Sequence, residues 1–245
     1  MRALRILLIV VVILGGLFVI ADRVAVNYAE DRAADELRSS ENLSSTPDVS
    51  INGFPFLTQA AAEELDDVEV GIDDYEASTG KGDEKIRIAE LHARLKGVEF
   101  SGDYASATAA SATGTATVGY DELMKATKSQ PTDIAPGISA KVVGLADGGD
   151  GKIKVSLQAT VLGVQVPGPI EVLSSVKVKN DDVEVVADGL PEIAGRQLAE
   201  SRIRAITDFQ QTIDELPGGI RLDKVEAAKD GVEITVKGSD VKLAG

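Results

Sequence analysis

Hydrophobic residues fall along this chain in three patterns, and each predicts a different kind of element. The first is an uninterrupted run, residues 6–21 (ILLIVVVILGGLFVIA), preceded by Arg2 and Arg5 and ended by Asp22 and Arg23. As a helix, sixteen residues span about 24 Å, short of the ~30 Å hydrocarbon core of a bilayer. Two readings fit this layout: a signal peptide cleaved after Ala21, and an anchor that stays in the membrane with its basic end inside. Both export the remainder of the chain. The division is therefore 1–21, signal peptide or anchor, and 22–245, a single exported domain.

The second pattern has helical spacing. Residues 22–38 contain neither Gly nor Pro, and Val26, Ala29, Ala33 and Leu37 form a narrow apolar stripe. A longer helix is predicted between Pro191 and Pro217-Gly218, where Ala199, Ile203, Ile206, Phe209 and Ile213 step by three and four. Short helical turns are expected over 58–65 and 120–127.

The third pattern has period two. Val49 and Ile51, then Val68, Val70 and Ile72, alternate with polar neighbours. Residues 86–100 also read as a strand, but Ile86 and Ile88 have one parity while Leu91, Ala93 and Leu95 have the other. That slip predicts a β-bulge at Ala89-Glu90. His92 then falls opposite the Leu91/Ala93/Leu95 parity and faces solvent. Small residues alternate over 112–118, residues 129–136 read as a loop, and strands follow at 138–145 and 152–161. An internal repeat closes the chain: SSVKVKNDDVEVVADG (174–189) aligns with DKVEAAKDGVEITVKG (223–238) at an offset of 49 residues, each copy a β-hairpin. The class is α+β, with long amphipathic helices packed on a curved antiparallel sheet.

Composition narrows the chemistry. The 245 residues carry 40 acids against 25 Lys plus Arg, a net charge of −15, which argues against a nucleic-acid partner. Without residues 1–21 the count is 40 acids against 23 bases, or −17. The absence of Cys excludes disulfides and thiolate metal sites, and one histidine, His92, excludes a multi-His site. The Asp147–Gly151 turn lacks the ligand spacing of a calcium loop. No catalytic, metal or cofactor set is assigned. Acid pairs such as Asp66/Asp67 would alternate between faces of a strand and read as solvated surface rather than as a glycosidase pair.

A long helix over an alternating sheet leaves either a closed core or a groove with apolar walls. A groove of that kind suits an acyl chain, worth about 0.8 kcal/mol per buried CH₂. Its expected lining is Phe54, Phe56, Leu57, Val155, Leu157, Ile203, Ile206, Phe209 and Ile213. Lys152, Lys154, Lys177 and Lys179 are either headgroup contacts at strand ends or ordinary solvated positions. The alternative is a non-catalytic structural or interaction domain with a closed core; the sequence names no protein partner.

Particular segments carry a resemblance. Ala21-Asp22-Arg23, the run from Val49 to Gln59 (VSINGFPFLTQ), Ser111 to Val118 (SATGTATV), Leu216 to Leu222 (LPGGIRL) and Gly231 to Ile234 (GVEI) resemble the LmeA-like family of exported phospholipid-binding proteins of the actinobacterial cell envelope. The resemblance covers nearly the whole chain and is most specific over 51–59. It implies a fold akin to tubular lipid-binding (BPI-like) domains, phospholipid and membrane as partners, a place on the outer face of the cytoplasmic membrane or in the envelope, and a role in envelope lipid or lipoglycan metabolism or transport.

Overall fold

A computed structural model describes residues 2–78, 85–102, 106–126, 130–179, 182–189, 204, 208–212 and 219–244. The apolar run and the amphipathic stretch after it are one helix, α1 (Arg2–Ser40). Nothing between them breaks the hydrogen-bond ladder, since α1 contains no Pro. Its buried residues are Asp22, Val26 and Ala34; of the expected stripe Val26 is buried, Ala29 and Leu37 are half-buried, and Ala33 is exposed.

β1 (Asp48–Asn52), β2 (Glu64–Ser78), β3 (Lys85–Phe100), β4 (Ala107–Gly119), β12 (Ile220–Ala227) and β13 (Gly231–Ala244) form a curled antiparallel sheet in the order β1-β2-β3-β4-β13-β12. The short helix α2 (Phe56–Ala61) joins β1 to β2, and α3 (Tyr120–Ala126) follows β4. A second antiparallel sheet has the order β11-β10-β9-β7-β6-β5, with β8 also paired to β7. Its strands are β5 (Thr132–Ala135), β6 (Ile138–Asp147), β7 (Lys152–Val161), β8 (Val164–Gln165), β9 (Ile170–Lys179), β10 (Asp182–Ala187) and β11 (Phe209–Thr212). The class is α+β as expected. The described residues contain three helices, however, and only α1 is long, because α2 and α3 have 6 and 7 residues.

Two further expectations are corrected. Residues 132–135 form β5 instead of loop, since they pair with β6 and Ile134 is buried at 2 % exposure. Of the helix expected over 191–217, Arg204 is helical, but Phe209–Thr212 is a strand paired with β10. The open edge of β10 supplies a hydrogen-bonding partner that helical periodicity cannot reveal. The remaining residues of that segment, including Ile203, Ile206 and Ile213, lie outside the described set.

The repeat is realised in register. Val176 pairs with Val185 in the first copy, and their counterparts Val225 and Ile234 pair in the second. The copies sit in different sheets, and the first strand of each, β9 and β12, meet across the core. That core holds Ile153, Val155, Leu157, Val172, Ala187, Leu222, Val225 and Val232. Tyr120 and Leu123 of α3 pack against it. The Tyr120 hydroxyl donates to the Ala228 carbonyl at 2.8 Å, and burial, with a smaller effect of the Asp147 charge, pushes its phenol up to about 12.

The bulge at Ala89 is present: β3 slips against β4 between Ile88 and Glu90. A second irregularity crosses four neighbouring strands. The pairing of β2, β3, β4 and β13 steps over one row, Asp66, Gly97, Ala110 and Asp240, and Gly97 and Asp240 have positive φ. Side-chain parity therefore changes at that row. Leu65, Val98 and Ala109 gather with Val68 and Leu95 in one cluster, although strict alternation would separate them.

Gly231 opens β13 directly against β4, where a Cβ would run into the Val118 carbonyl. Gly231→Ala is expected to cost about 1–3 kcal/mol and lower the thermal midpoint by several degrees. Thermal denaturation followed by circular dichroism checks this, and an unchanged midpoint would show that the hairpin shifts freely.

Candidate functional site

α2 begins with a deficit. Its N-cap is Pro55, which makes no side-chain cap hydrogen bond, so the first backbone N–H groups need another acceptor. Asp22 supplies it from 35 residues away. Its fully buried carboxylate accepts the Leu57 N–H at 2.8 Å and also the Phe56 N–H. Arg23 donates to the other oxygen at 2.6 Å. Burial pushes the Asp22 carboxyl up, but the Arg23 hydrogen bond and the two amides outweigh burial and hold it below the usual carboxylate range.

The neighbouring residues complete this dock. The Arg23 guanidinium lies 5.3 Å from the Phe54 ring centroid. Gly53 has φ +104°, and a Cβ there would meet the Gln59 amide nitrogen at 2.5 Å. Thr58 Oγ1 donates to the Pro55 carbonyl, and Gln59 Oε1 accepts the Asp66 N–H, both at 2.8 Å. Phe56 is buried with Val26, Leu65, Val98, Ala107 and Ala109. Two turns along α1, Glu30 Oε1 accepts the Ile51 N–H at 2.7 Å, which covers a donor of the edge strand β1. The segments Ala21-Asp22-Arg23 and Ile51–Gln59, far apart in sequence, are thus the two halves of one joint.

Beyond the joint the curled sheet has an apolar inner face. Register places Val70, Ala93, Gly114, Val236 and Leu222 in one cross-strand row, and Ile72, Leu91, Ala116, Ile234 and Val225 in the next. Ala93, Leu91, Val70, Val236 and Ile234 are only half-buried. The central strand β4 contributes Ala112, Gly114 and Ala116, so the middle of the face is low and its flanks are high. The face extends from Leu95 to Ile86 on β3, nine steps or about 30 Å. That is about twice the ~15 Å depth of one leaflet's hydrocarbon.

The opposite face of the sheet is polar. It carries Glu69, His92, Arg94, Thr113 and Thr115 around an open depression of about 700 Å³, and His92 is exposed, as its parity predicted. Arg94 bridges Asp67 and Glu69 there, and Arg87 pairs with Asp74. Among the described residues no group of three or more His, Asp or Glu is placed to hold a metal.

The residues expected to line a groove are distributed over separate places. Phe54 is exposed, Phe56 is buried, and Leu57 is half-buried, all at the α1–α2 joint. Val155 and Leu157 lie in the closed inter-sheet core at 5 % and 1 % exposure. Phe209 is on β11; Ile203, Ile206 and Ile213 are outside the described residues. Of the four lysines, Lys152 pairs with Asp188 at 2.8 Å and Lys154 with Glu171 at 3.7 Å. The inner-face positions on β2 to β4 were visible as alternation but not as a shared surface, because only register brings them into rows. The coupling of Asp22 to α2 left no periodic signal at all.

The apolar N-terminal helix fits a signal peptide or an anchor, and the domain that follows it carries a half-covered apolar sheet face. A family model for LmeA-like phospholipid-binding proteins matches residues 20–237, and the chain belongs to that family. No curated protein and no solved structure matches it. The matched region takes in both halves of the joint.

Asp22→Ala is expected to speed hydrogen exchange at the Phe56 and Leu57 amides by roughly an order of magnitude or more, with β6 and β7 unaffected. Because the folded carboxyl ionises below its unfolded counterpart, its contribution is complete above the unfolded value near about 4 and is lost as pH falls through the lowered folded value. Leu57 protection should therefore stay flat across neutral pH, relative to intrinsic exchange, and collapse only in acid. Loss on raising the pH would contradict this assignment.

Proposed function

We propose that the chain is an exported, membrane-anchored phospholipid-binding protein that supports envelope lipid or lipoglycan metabolism or transport, without catalysing a reaction itself. The observation that carries the reading is the half-covered apolar face of the curled sheet in a chain that belongs to a phospholipid-binding family. Acyl chains lie along the low centre formed by Ala93, Gly114 and Ala116, between Val70 and Leu91 on one flank and Val236 and Ile234 on the other. Phe54, Phe56 and Leu57 stand at the end nearest α1, while Val155 and Leu157 stand towards the inter-sheet core. Ile203, Ile206, Phe209 and Ile213 remain candidate contacts on the segment before β12.

The energetics suit this assignment. Ten buried methylenes give about 8 kcal/mol before the costs of association are subtracted. The net charge of −15 repels anionic headgroups, and retention of residues 6–21 offsets that by holding the domain at the membrane at high effective concentration. The closed packing of Val155 and Leu157 favours a second reading, an interaction domain whose apolar residues are all core.

Ala93→Phe separates the two. In the phospholipid reading it fills the low centre and reduces bound phospholipid several-fold in native mass spectra of the full chain released from mild detergent. Its circular dichroism spectrum stays that of the wild type. Undiminished phospholipid in a folded Ala93→Phe protein would place the site elsewhere. A wild-type protein with no specific lipid, even after incubation with envelope phospholipids, would favour the interaction domain.

A further inference from the structure

Nine large apolar side chains outside residues 6–21 are exposed among the described residues, and three of them surround the end of that run. Val24, Tyr28 and Phe54 are 63 %, 71 % and 59 % exposed, on a chain with net charge −15. Val24 and Tyr28 project from parts of α1 that the domain leaves uncovered, and Phe54 lies under the Arg23 guanidinium. Val24 is about 4.5 Å and Tyr28 about 10 Å past Ala21 along the helix axis. Helical Cα–Cβ bonds lean towards the N-terminus, so the Tyr28 ring reaches back towards the apolar run. These heights bracket the headgroup layer, about 5–7 Å thick on each side of the hydrocarbon.

Two acids of α1 near that layer are engaged by the domain. Asp22 is wholly buried on α2 and Arg23, and Glu30 accepts the Ile51 amide. At this level stand an aromatic pair, a valine and a half-exposed arginine, residue types that populate membrane interfaces, beside the exposed polar groups of Asn27 and Asp66. The uncharged run is also about 6 Å too short for the hydrocarbon core, and side chains one turn further on make up that length.

We propose that Arg23, Val24, Tyr28 and Phe54 form a collar that seats the base of the domain in the outer headgroup layer of the bilayer crossed by residues 6–21. The collar rests on the reading of residues 6–21 as a retained anchor. Its partner is that same lipid surface: Phe54 and Tyr28 rings lie at the glycerol level and Arg23 meets lipid phosphate. The joint at Asp22 holds the collar residues of the domain level with those of the helix.

The chain contains no Trp, so one introduced residue is an unambiguous reporter. Full-length F54W and Y28W proteins are placed in phosphatidylcholine/phosphatidylglycerol nanodiscs, alongside K125W. Lys125 is an exposed residue of α3, beyond the far end of β4 and about 40 Å from the joint. Both collar probes should emit to the blue of K125W and be quenched several-fold more by lipids brominated high on the acyl chain. Intact mass and flotation report separately whether residues 1–21 are retained and inserted. A retained, inserted span with F54W and Y28W as water-exposed as K125W would overturn the collar alone. Cleavage after Ala21 in the expressing cell would overturn the anchor reading and the collar with it.

Discussion

The carboxylate of Asp22 is the constraint on which the rest of the arrangement depends. It is a charge with no exposed surface, and such a group is tolerated only when its lone pairs are filled. Two amides from α2 and one guanidinium fill them, and each of those donors needs an acceptor in return. The result is mutual: α2 is capped only if α1 is docked, and α1 can bury Asp22 only if α2 has formed. Gly53, Pro55, Thr58 and Gln59 then have local reasons for their identities, since each shapes the turn that presents those amides.

The same economy appears in the sheets. A single hairpin design is used twice with matching register, and the two copies contribute to different sheets that close on one another through β9 and β12. The row at Asp66, Gly97, Ala110 and Asp240, which the ladder steps over, shifts side-chain parity so that Leu65, Val98 and Ala109 face the same cluster as Val68 and Leu95. One strand set can therefore pack against α1 and α2 at one end and against the second sheet at the other.

Much of this was legible in the sequence where the signal was local. Alternation in residues 152–161 gave β7 with its bounds, the parity change near Ala89 gave the bulge, and the 49-residue offset gave both hairpins. The family was legible too, through segments whose spacing in the chain conceals their contact. Where pattern misled, a non-local partner decided. Phe209–Thr212 has helical spacing, but β10 offered it an edge. Val155 and Leu157 alternate as expected, and β12 and β13 of the curled sheet cover them. The joint could not be derived from pattern, because a carboxylate capping a helix 35 residues away has no period.

The continuity of α1 has a mechanical consequence. A helix of 39 residues is about 58 Å long, and its outer half is clasped by the domain. Membrane helices usually lean to fit excess length into the bilayer, but a span shorter than the hydrocarbon only worsens its fit by leaning. If residues 6–21 stay in the bilayer as proposed, the upright orientation gives the greatest reach, so bilayer thickness itself would fix the angle at which the sheet is presented. On that reading a thinner membrane would release the restraint and let the domain swing, and lipid composition would become a setting for the orientation of the apolar face.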